Sequence, residues 1–259
     1  IDPTTAPFSK ISTHGVTLTN GALAFSLKDH ILTIPPSAMT INGGPATLAG
    51  RIDLSAPVPT LEITPADQVA ANNVQLNSQF GSGALAFLPL AWGSQPGMVD
   101  IAGLLGVHIN QARLPLNADA FKNSGTLTMT VDLNHVSTDA PFFSLITQAL
   151  GHAGLSQQSL ALKNINVQQF PVQLANGASH YQNLTLALGD TSLAFGGTVG
   201  LDQSLNLQMT LIQPAQGIKI PIPLQITGTA AVPKVALAPN ALQNAAQQAV
   251  PGLIGGLLT

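Results

Sequence analysis

Residues 181–212 read YQNLTLALGDTSLAFGGTVGLDQSLNLQMTLI, and apolar residues occupy every second position in three runs of this stretch. The three runs are residues 181–188, 191–195 and 205–211. A two-residue period gives each β-strand one apolar face and one face of Thr, Asn, Gln and Ser, which is typical of a sheet that is solvated on one side. The pattern predicts antiparallel strands, and the functional question is what their apolar face contacts.

The whole chain is poor in charge. Of its 259 residues, 7% are charged and 45% are hydrophobic, and the formal net charge is -3. An ordinary domain carries about 25% charged residues. Because no basic field is present to attract phosphates, we do not expect nucleic-acid binding. The lack of cysteine excludes disulfides, thiolate metal sites and a cysteine nucleophile.

Strand-like runs rich in Leu, Ile, Val and Thr recur along the chain, separated by Gly, Pro and Asn. Thirteen strands in a chain of this length indicate one extended antiparallel sheet. The predicted strands are residues 16–27, 31–34, 46–54, 60–64, 74–80, 107–116, 125–133, 160–168, 170–174, 181–188, 191–201, 204–212 and 218–229.

Helical patterns are few. Residues 65–70 suit a short helical turn, and residues 141–151 suit a longer helix with Asp139 as its cap. A further helix is expected after Asn240, where apolar residues form a narrow stripe. No apolar stretch reaches the roughly 20 residues that a membrane-spanning helix needs. The chain begins at Ile1 with neither Met nor a leader, so we expect it to be part of a larger protein.

A degenerate repeat runs through the predicted strands. LAGRIDL at 48–54, followed by LEI at 61–63, parallels FGGTVGL at 195–201, followed by LNL at 205–207. GTLTMTVDL at 125–133 is a looser third copy. Such self-similarity is typical of hairpins added in series to one growing sheet.

These residues resemble a known family. Residues 181–207, together with IPLQITGT at 222–229 and PKV at 233–235, resemble the C-terminal region of AsmA-like proteins, relatives of TamB. The resemblance is clearest over residues 180–237, and residues 15–63 are similar to upstream repeats of that family. It implies a repeating β-groove with an apolar concave side. It also implies phospholipid transfer between the two envelope membranes of Gram-negative bacteria, and an N-terminal membrane anchor.

We therefore predict a mainly β fold: an extended, twisted antiparallel sheet curled into an open groove, with one or two short helices including a C-terminal one. Residues 1–238 would form one continuous groove unit, and residues 239–259 an amphipathic helix with an apolar tail. The alternative is a closed sandwich or barrel, in which the same apolar side chains are ordinary core.

The predicted site is the apolar side of this sheet, because two plausible helices are too little to cover thirteen strands. A sixteen-carbon acyl chain buried there would gain on the order of 10 kcal/mol, at about 0.8 kcal/mol per methylene. The residues predicted to line the groove are Leu127, Met129, Val131, Leu184, Leu186, Leu188, Leu193, Phe195, Val199, Leu205, Leu207, Met209, Ile222, Leu224 and Ile226.

The expected partner is a phospholipid or another acyl-chain lipid. Membrane contact is expected through an N-terminal anchor missing from this sequence or through the C-terminal tail. The resemblance implies a periplasmic, envelope-associated location for the full-length protein. The alternative function is a structural β-rich module, at a surface or in an assembly, with a closed sandwich core.

Catalysis is not expected. The six histidines lie at least 16 residues apart and form no metal-binding pair. Neither a Gly-x-Ser-x-Gly elbow nor a phosphate-binding glycine loop is present. Asp53, Asp132 and Asp202 lie at strand ends or turns, where a carboxylate commonly stabilises the turn. We predict a non-enzymatic protein with no catalytic residue, no metal and no cofactor.

Overall fold

The computed structural model describes residues 4–13, 15–80, 87–93, 100–152, 164–188, 191–215 and 218–239. The mainly β, antiparallel prediction is confirmed, because fourteen strands form a single sheet. The strands are β1 Thr4–Thr13, β2 Val16–Lys28, β3 Ile31–Ile41, β4 Gly44–Asp53, β5 Thr60–Ile63, β6 Val69–Gln75, β7 Ile101–Pro115, β8 Thr126–Thr138, β9 Ile165–Ala175, β10 Ala178–Leu188, β11 Thr191–Gly200, β12 Leu205–Ala215, β13 Ile218–Gly228 and β14 Pro233–Leu237.

The strands follow one another across the sheet in chain order. The exception lies between β4 and β7, where β5 and β6 both pair with these two strands, at different positions along their length. β5 pairs with the end of β4 near Asp53, and β6 pairs with its start near Ala46. Neighbouring strands joined by short turns are the serial hairpins that the sequence repeat indicates. Within the described residues, β1 and β14 each have one neighbour and form the two edges of the sheet.

The helices in the described part of the chain are short. A 3-10 turn spans Pro65–Asp67, where Thr64 N–H donates to the Asp67 carboxylate at 2.6 Å. Helix α1 spans Ala118–Ser124, and the Asn117 side chain caps it. Helix α2 spans Pro141–His152, as the sequence predicts. None of the helices described has the length and apolarity needed to cross a membrane.

Asp139, which the sequence predicts as the cap of α2, is not seen to cap the helix. The Asp139 carboxylate instead accepts the backbone N–H of Asp100 at 2.7 Å and so joins the starts of β7 and α2. The helix predicted after Asn240 and the tail that follows it lie outside the described residues.

Several strand boundaries differ from the sequence prediction because bulges interrupt the alternation. β3 continues through Pro35 to Ile41, and its register with β4 shifts between Ile34 and Ser37. Residues 165–175 form the single strand β9, although Gln169 has a φ of 50°. The Gln169 N–H donates to the Asp132 carboxylate at 2.7 Å, which holds this bulge in place. Each bulge inserts one residue and bends its strand.

The strand predicted at 74–80 is wrong, because the strand is β6 at 69–75 and residues 78–80 are helical. The edge strands β1 and β14 were not predicted. The sequence of β1, TTAPFSKIST, has no regular apolar alternation, and the strand is exposed along almost its whole length.

The alternation predicted for the C-terminal strands is present in the structure. On β12, Leu205, Leu207 and Met209 are buried, whereas Asn206 and Gln208 between them are exposed. We call the side of the sheet that carries the buried set the inner face and the opposite side the outer face. Cross-strand pairs join the inner face into apolar rows, for example Leu184–Phe195–Met209–Leu224 and Val69–Ile109–Met129–Val172.

Helix α2 and residues 87–93 cover the inner face of the C-terminal strands. The Phe142 ring of α2 lies 6.4 Å from the Phe195 ring and meets the Trp92 ring edge-on at 5.2 Å. The backbone N–H of Gly93 donates to the carbonyl of Ala230 at 2.8 Å, which ties this cover to the far end of the sheet. The inner face of the C-terminal strands is therefore a closed hydrophobic core where Phe142 and Trp92 pack on it.

Candidate functional site

The structure brings the predicted lining residues onto one face. The fourteen whose side chains are described all lie on the inner face, on β8 and on β10 to β13. All but Leu127 are buried. They belong to one hydrophobic cluster that includes Phe142 of α2 and Trp92. The side chain of Leu188 lies outside the described residues.

An open apolar cavity of about 360 Å³ lies instead in the N-terminal half of the inner face. Its wall comes from β2, β3, β4, β6 and β7 and from Phe80. Met39, Val74 and Leu105 are buried in this wall, whereas Val107 and Ile109 are half-buried. We call it the N-terminal cavity. Its volume falls within the range of about 300–1,000 Å³ that is usual for small-molecule pockets.

Small side chains explain why the sheet is hollow here. The cross-strand row Met39–Ala46–Ala71–Val107 places two alanines side by side between larger residues. Strands β5 and β6, which fill the sheet between β4 and β7 here, are short. Gly44 allows β6 to approach closely, because a Cβ there would collide with the Asn72 carbonyl oxygen. A depression therefore forms where the sequence supplies apolar residues of low volume.

A second cavity of about 320 Å³ lies on β8 to β11. Three of the predicted lining residues contribute to its wall: Leu127, Met129 and Val199. Met129 is the cross-strand partner of Ile109, which lines the N-terminal cavity. The two cavities therefore adjoin along one apolar row. We call the second one the central cavity.

The central cavity has a polar side. Ser179 and Gln203 line it together with the apolar residues. Tyr181 lies two residues beyond Ser179 on β10, and its ring stacks on Phe170 with a centroid separation of 5.8 Å. The Tyr181 hydroxyl is buried and has no hydrogen-bond partner among the described residues. Burial raises the pKa of Tyr181, so this phenol remains protonated.

Among the described residues, no charged side chain lines either cavity. Arg51 and Glu62 form an exposed ion pair at 2.7 Å, and Arg113 lies 3.9 Å from the same carboxylate. Side-chain and backbone donors of Ser55 lower the pKa of Asp53, and those of Ser204 lower the pKa of Asp202. This is the turn-stabilising role predicted for the two aspartates, and its geometry is repeated in the two copies of the sequence repeat.

No group of three potential metal-ligating side chains occurs within the described residues. Among the histidines, His30, His108, His135 and His180 lie on different strands or turns, and the side chains of His14 and His152 lie outside the described residues. The candidate site is the pair of apolar cavities, whose walls can contact an apolar ligand.

Sequence reasoning missed the N-terminal cavity. The predicted lining came from the C-terminal strands, where the alternation is cleanest and where the family resemblance is clearest. A signal was present in the alternating Val16 and Leu18 of β2 and Val107 and Ile109 of β7. The alternation of apolar residues does not predict where α2 packs. In the structure, α2 packs on the inner face of the C-terminal strands.

Comparisons with known proteins identify no relative of this chain. The resemblance to AsmA-like proteins remains a prediction. No family model matches the chain, and searches of curated proteins and of solved structures find no significant match.

Proposed function

We propose that this protein is a non-catalytic module that binds and conducts acyl-chain lipid along the inner face of its sheet. The observation that carries the proposal is the N-terminal cavity, whose wall is apolar and half-open to solvent. Apolar clefts of this volume are the usual form of a small-molecule binding site. A hydrocarbon chain is the ligand that such a wall accommodates without leaving a buried polar group unpaired.

The apolar wall favours binding of a hydrocarbon chain without fixing the position of that chain along the sheet. At about 0.8 kcal/mol per methylene, eight buried methylenes would contribute about 6 kcal/mol. Apolar contacts are non-directional, so a chain can slide along the row from Ile109 to Met129 at little cost. The adjoining cavities thus support conduction as well as storage. A phospholipid would keep its head group in solvent while its tails lie against the sheet.

We extend the proposal to the location of the protein in the cell. The resemblance to AsmA-like proteins supports transfer of phospholipid between membranes and a location in the periplasm, at the cell envelope. Membrane contact through an N-terminal anchor or through the C-terminal tail would place the sheet next to its lipid source.

Two neighbouring residues on β7 provide a matched test. Val107 faces the N-terminal cavity and His108 is exposed on the outer face. Protein purified from a Gram-negative host is analysed by native mass spectrometry and lipid extraction. We expect bound phospholipid on wild type and on His108→Asp, and at least a tenfold loss on Val107→Asp, because an acyl chain would have to desolvate the new carboxylate. Equal lipid on the two variants, or none on wild type, contradicts the proposal.

A structural assembly module is the second candidate, and the edge strand β1 favours it. β1 has one neighbour within the described residues, and Ile11 on it is 47% exposed. An unpaired edge can accept a strand from another molecule. A lipid-free mass together with concentration-dependent filaments in electron micrographs would support this candidate over lipid binding.

A further inference from the structure

The Tyr181 hydroxyl stands out as a polar group that the fold leaves unused. Its residue is 4% exposed, and the oxygen has no hydrogen-bond partner among the described residues. Leaving a buried hydroxyl unpaired costs about 1–3 kcal/mol, and such a group in a native protein calls for an explanation, for example local strain or a functional role. Ser179 and Thr191 are also buried polar residues of β10 and β11, but among the described side chains only the Tyr181 hydroxyl is buried without a hydrogen-bond partner.

The position of Tyr181 connects it to the central cavity. Ser179, two residues before it on β10, lines that cavity. Phe170, on which its ring stacks, lies two residues before Val172 on β9, which also lines the cavity. Successive inner-face residues of a strand are direct neighbours. Tyr181 itself does not line the cavity, but its inner-face neighbour on β10 and the inner-face neighbour of its stacking partner on β9 both do.

We propose that Tyr181 is the polar anchor of the lipid site and donates a hydrogen bond to the carbonyl of an ester or carboxyl group at the head of an acyl chain. The inference rests on the proposed lipid binding and names the chemical class that the site selects: an acyl chain carrying an acceptor, rather than a plain hydrocarbon. A phenol that stays neutral is a suitable donor to a neutral ester oxygen.

The dimensions agree with such a ligand. Tyr181 lies on β10 and Val107 on β7, so three strand spacings of about 4.8 Å separate them, about 14 Å in all. A chain anchored at Tyr181 can therefore extend through the central cavity toward the N-terminal cavity. The ester group would lie beside Ser179 and the tail against Met129 and Ile109.

The test compares Tyr181→Phe with wild type, using methyl laurate and dodecane as probes delivered from cyclodextrin. Binding is followed through Trp92, the only tryptophan. We expect Tyr181→Phe to weaken methyl laurate binding about fivefold and to leave dodecane binding unchanged, because one hydrogen bond is lost. Thr185→Val is the matched control, since it removes an exposed hydroxyl from the same strand. It should change neither affinity.

The outcomes separate the two proposals. If wild type binds both probes and Tyr181→Phe affects them equally or not at all, the anchor is refuted and lipid binding stands. If wild type binds neither probe, both proposals fail. Infrared spectra of ¹³C-carbonyl methyl laurate on wild type give an answer that does not depend on the variant's folding. A bound carbonyl band at lower wavenumber than in hydrocarbon supports the anchor, and an unshifted band overturns it.

Discussion

Replacing Phe142 with alanine tests the cover that closes the C-terminal half of the sheet. The Phe142 side chain is 0% exposed and its ring lies 5.1 Å from Phe143, 5.2 Å from Trp92 and 6.4 Å from Phe195. A buried phenylalanine cut to alanine loses about 3–5 kcal/mol. Aromatic pairs of this geometry account for about 0.5–1.5 kcal/mol of such a loss each. We expect Phe142→Ala to fall near the upper part of that range.

The assay is urea denaturation at equilibrium, followed by the fluorescence of Trp92. This probe lies in edge-on contact with the substituted ring, so it reports the cover directly. Val232→Ala serves as the control, because Val232 is 65% exposed and its truncation should change the free energy of unfolding by less than about 0.5 kcal/mol. A loss below about 1 kcal/mol for Phe142→Ala would show that α2 does not seal the inner face.

Two further predictions concern the turns and the close approach of strands. Gly44→Ala should lower the free energy of unfolding in urea by about 1–3 kcal/mol, because the new Cβ would collide with the Asn72 carbonyl oxygen. Gly196→Ala is the control and should lower it less, because the nearest atom to its Cβ is 3.9 Å away. Equal losses for the two variants contradict this prediction. Ser204→Ala should raise the pKa of Asp202 toward 3.8 in an NMR titration, and an unchanged value contradicts the turn geometry. Because the folded pKa is the lower one, the stabilisation from this carboxylate is present above pH 3.8 and is lost as the pH falls through the folded value.

The strand pattern was the part of the fold that the sequence could predict. Alternation in residues 181–188 and 205–211 placed Leu184 and Met209 on one face, and the structure has them there. The proline at 141 and the glycine at 151 likewise bounded α2 within one residue of its observed end. These are local features, because the period of a strand and the ends of a helix depend on near neighbours in the chain.

What could not be predicted depends on contacts distant along the chain. Nothing local to Phe142 shows that it packs on Phe195 and leaves Val107 uncovered. Bulges such as that at Gln169 merge two predicted strands into one, and their stabilising partner, Asp132, lies 37 residues away. The candidate site therefore includes the N-terminal cavity, which the sequence did not predict, and the central cavity, whose wall contains the predicted residues Leu127, Met129 and Val199.

Photocrosslinking tests the central claim most directly. A palmitic acid that carries a diazirine near its methyl end is bound to the wild-type chain, irradiated, and located by peptide mass spectrometry with and without excess palmitate. We predict competable labelling on the inner-face residues of β3, β4, β6 and β7 that line the N-terminal cavity, including Val107 and Ile109. Labelling confined to outer-face residues such as His108, or labelling that excess palmitate does not reduce, would contradict a lipid site on the inner face.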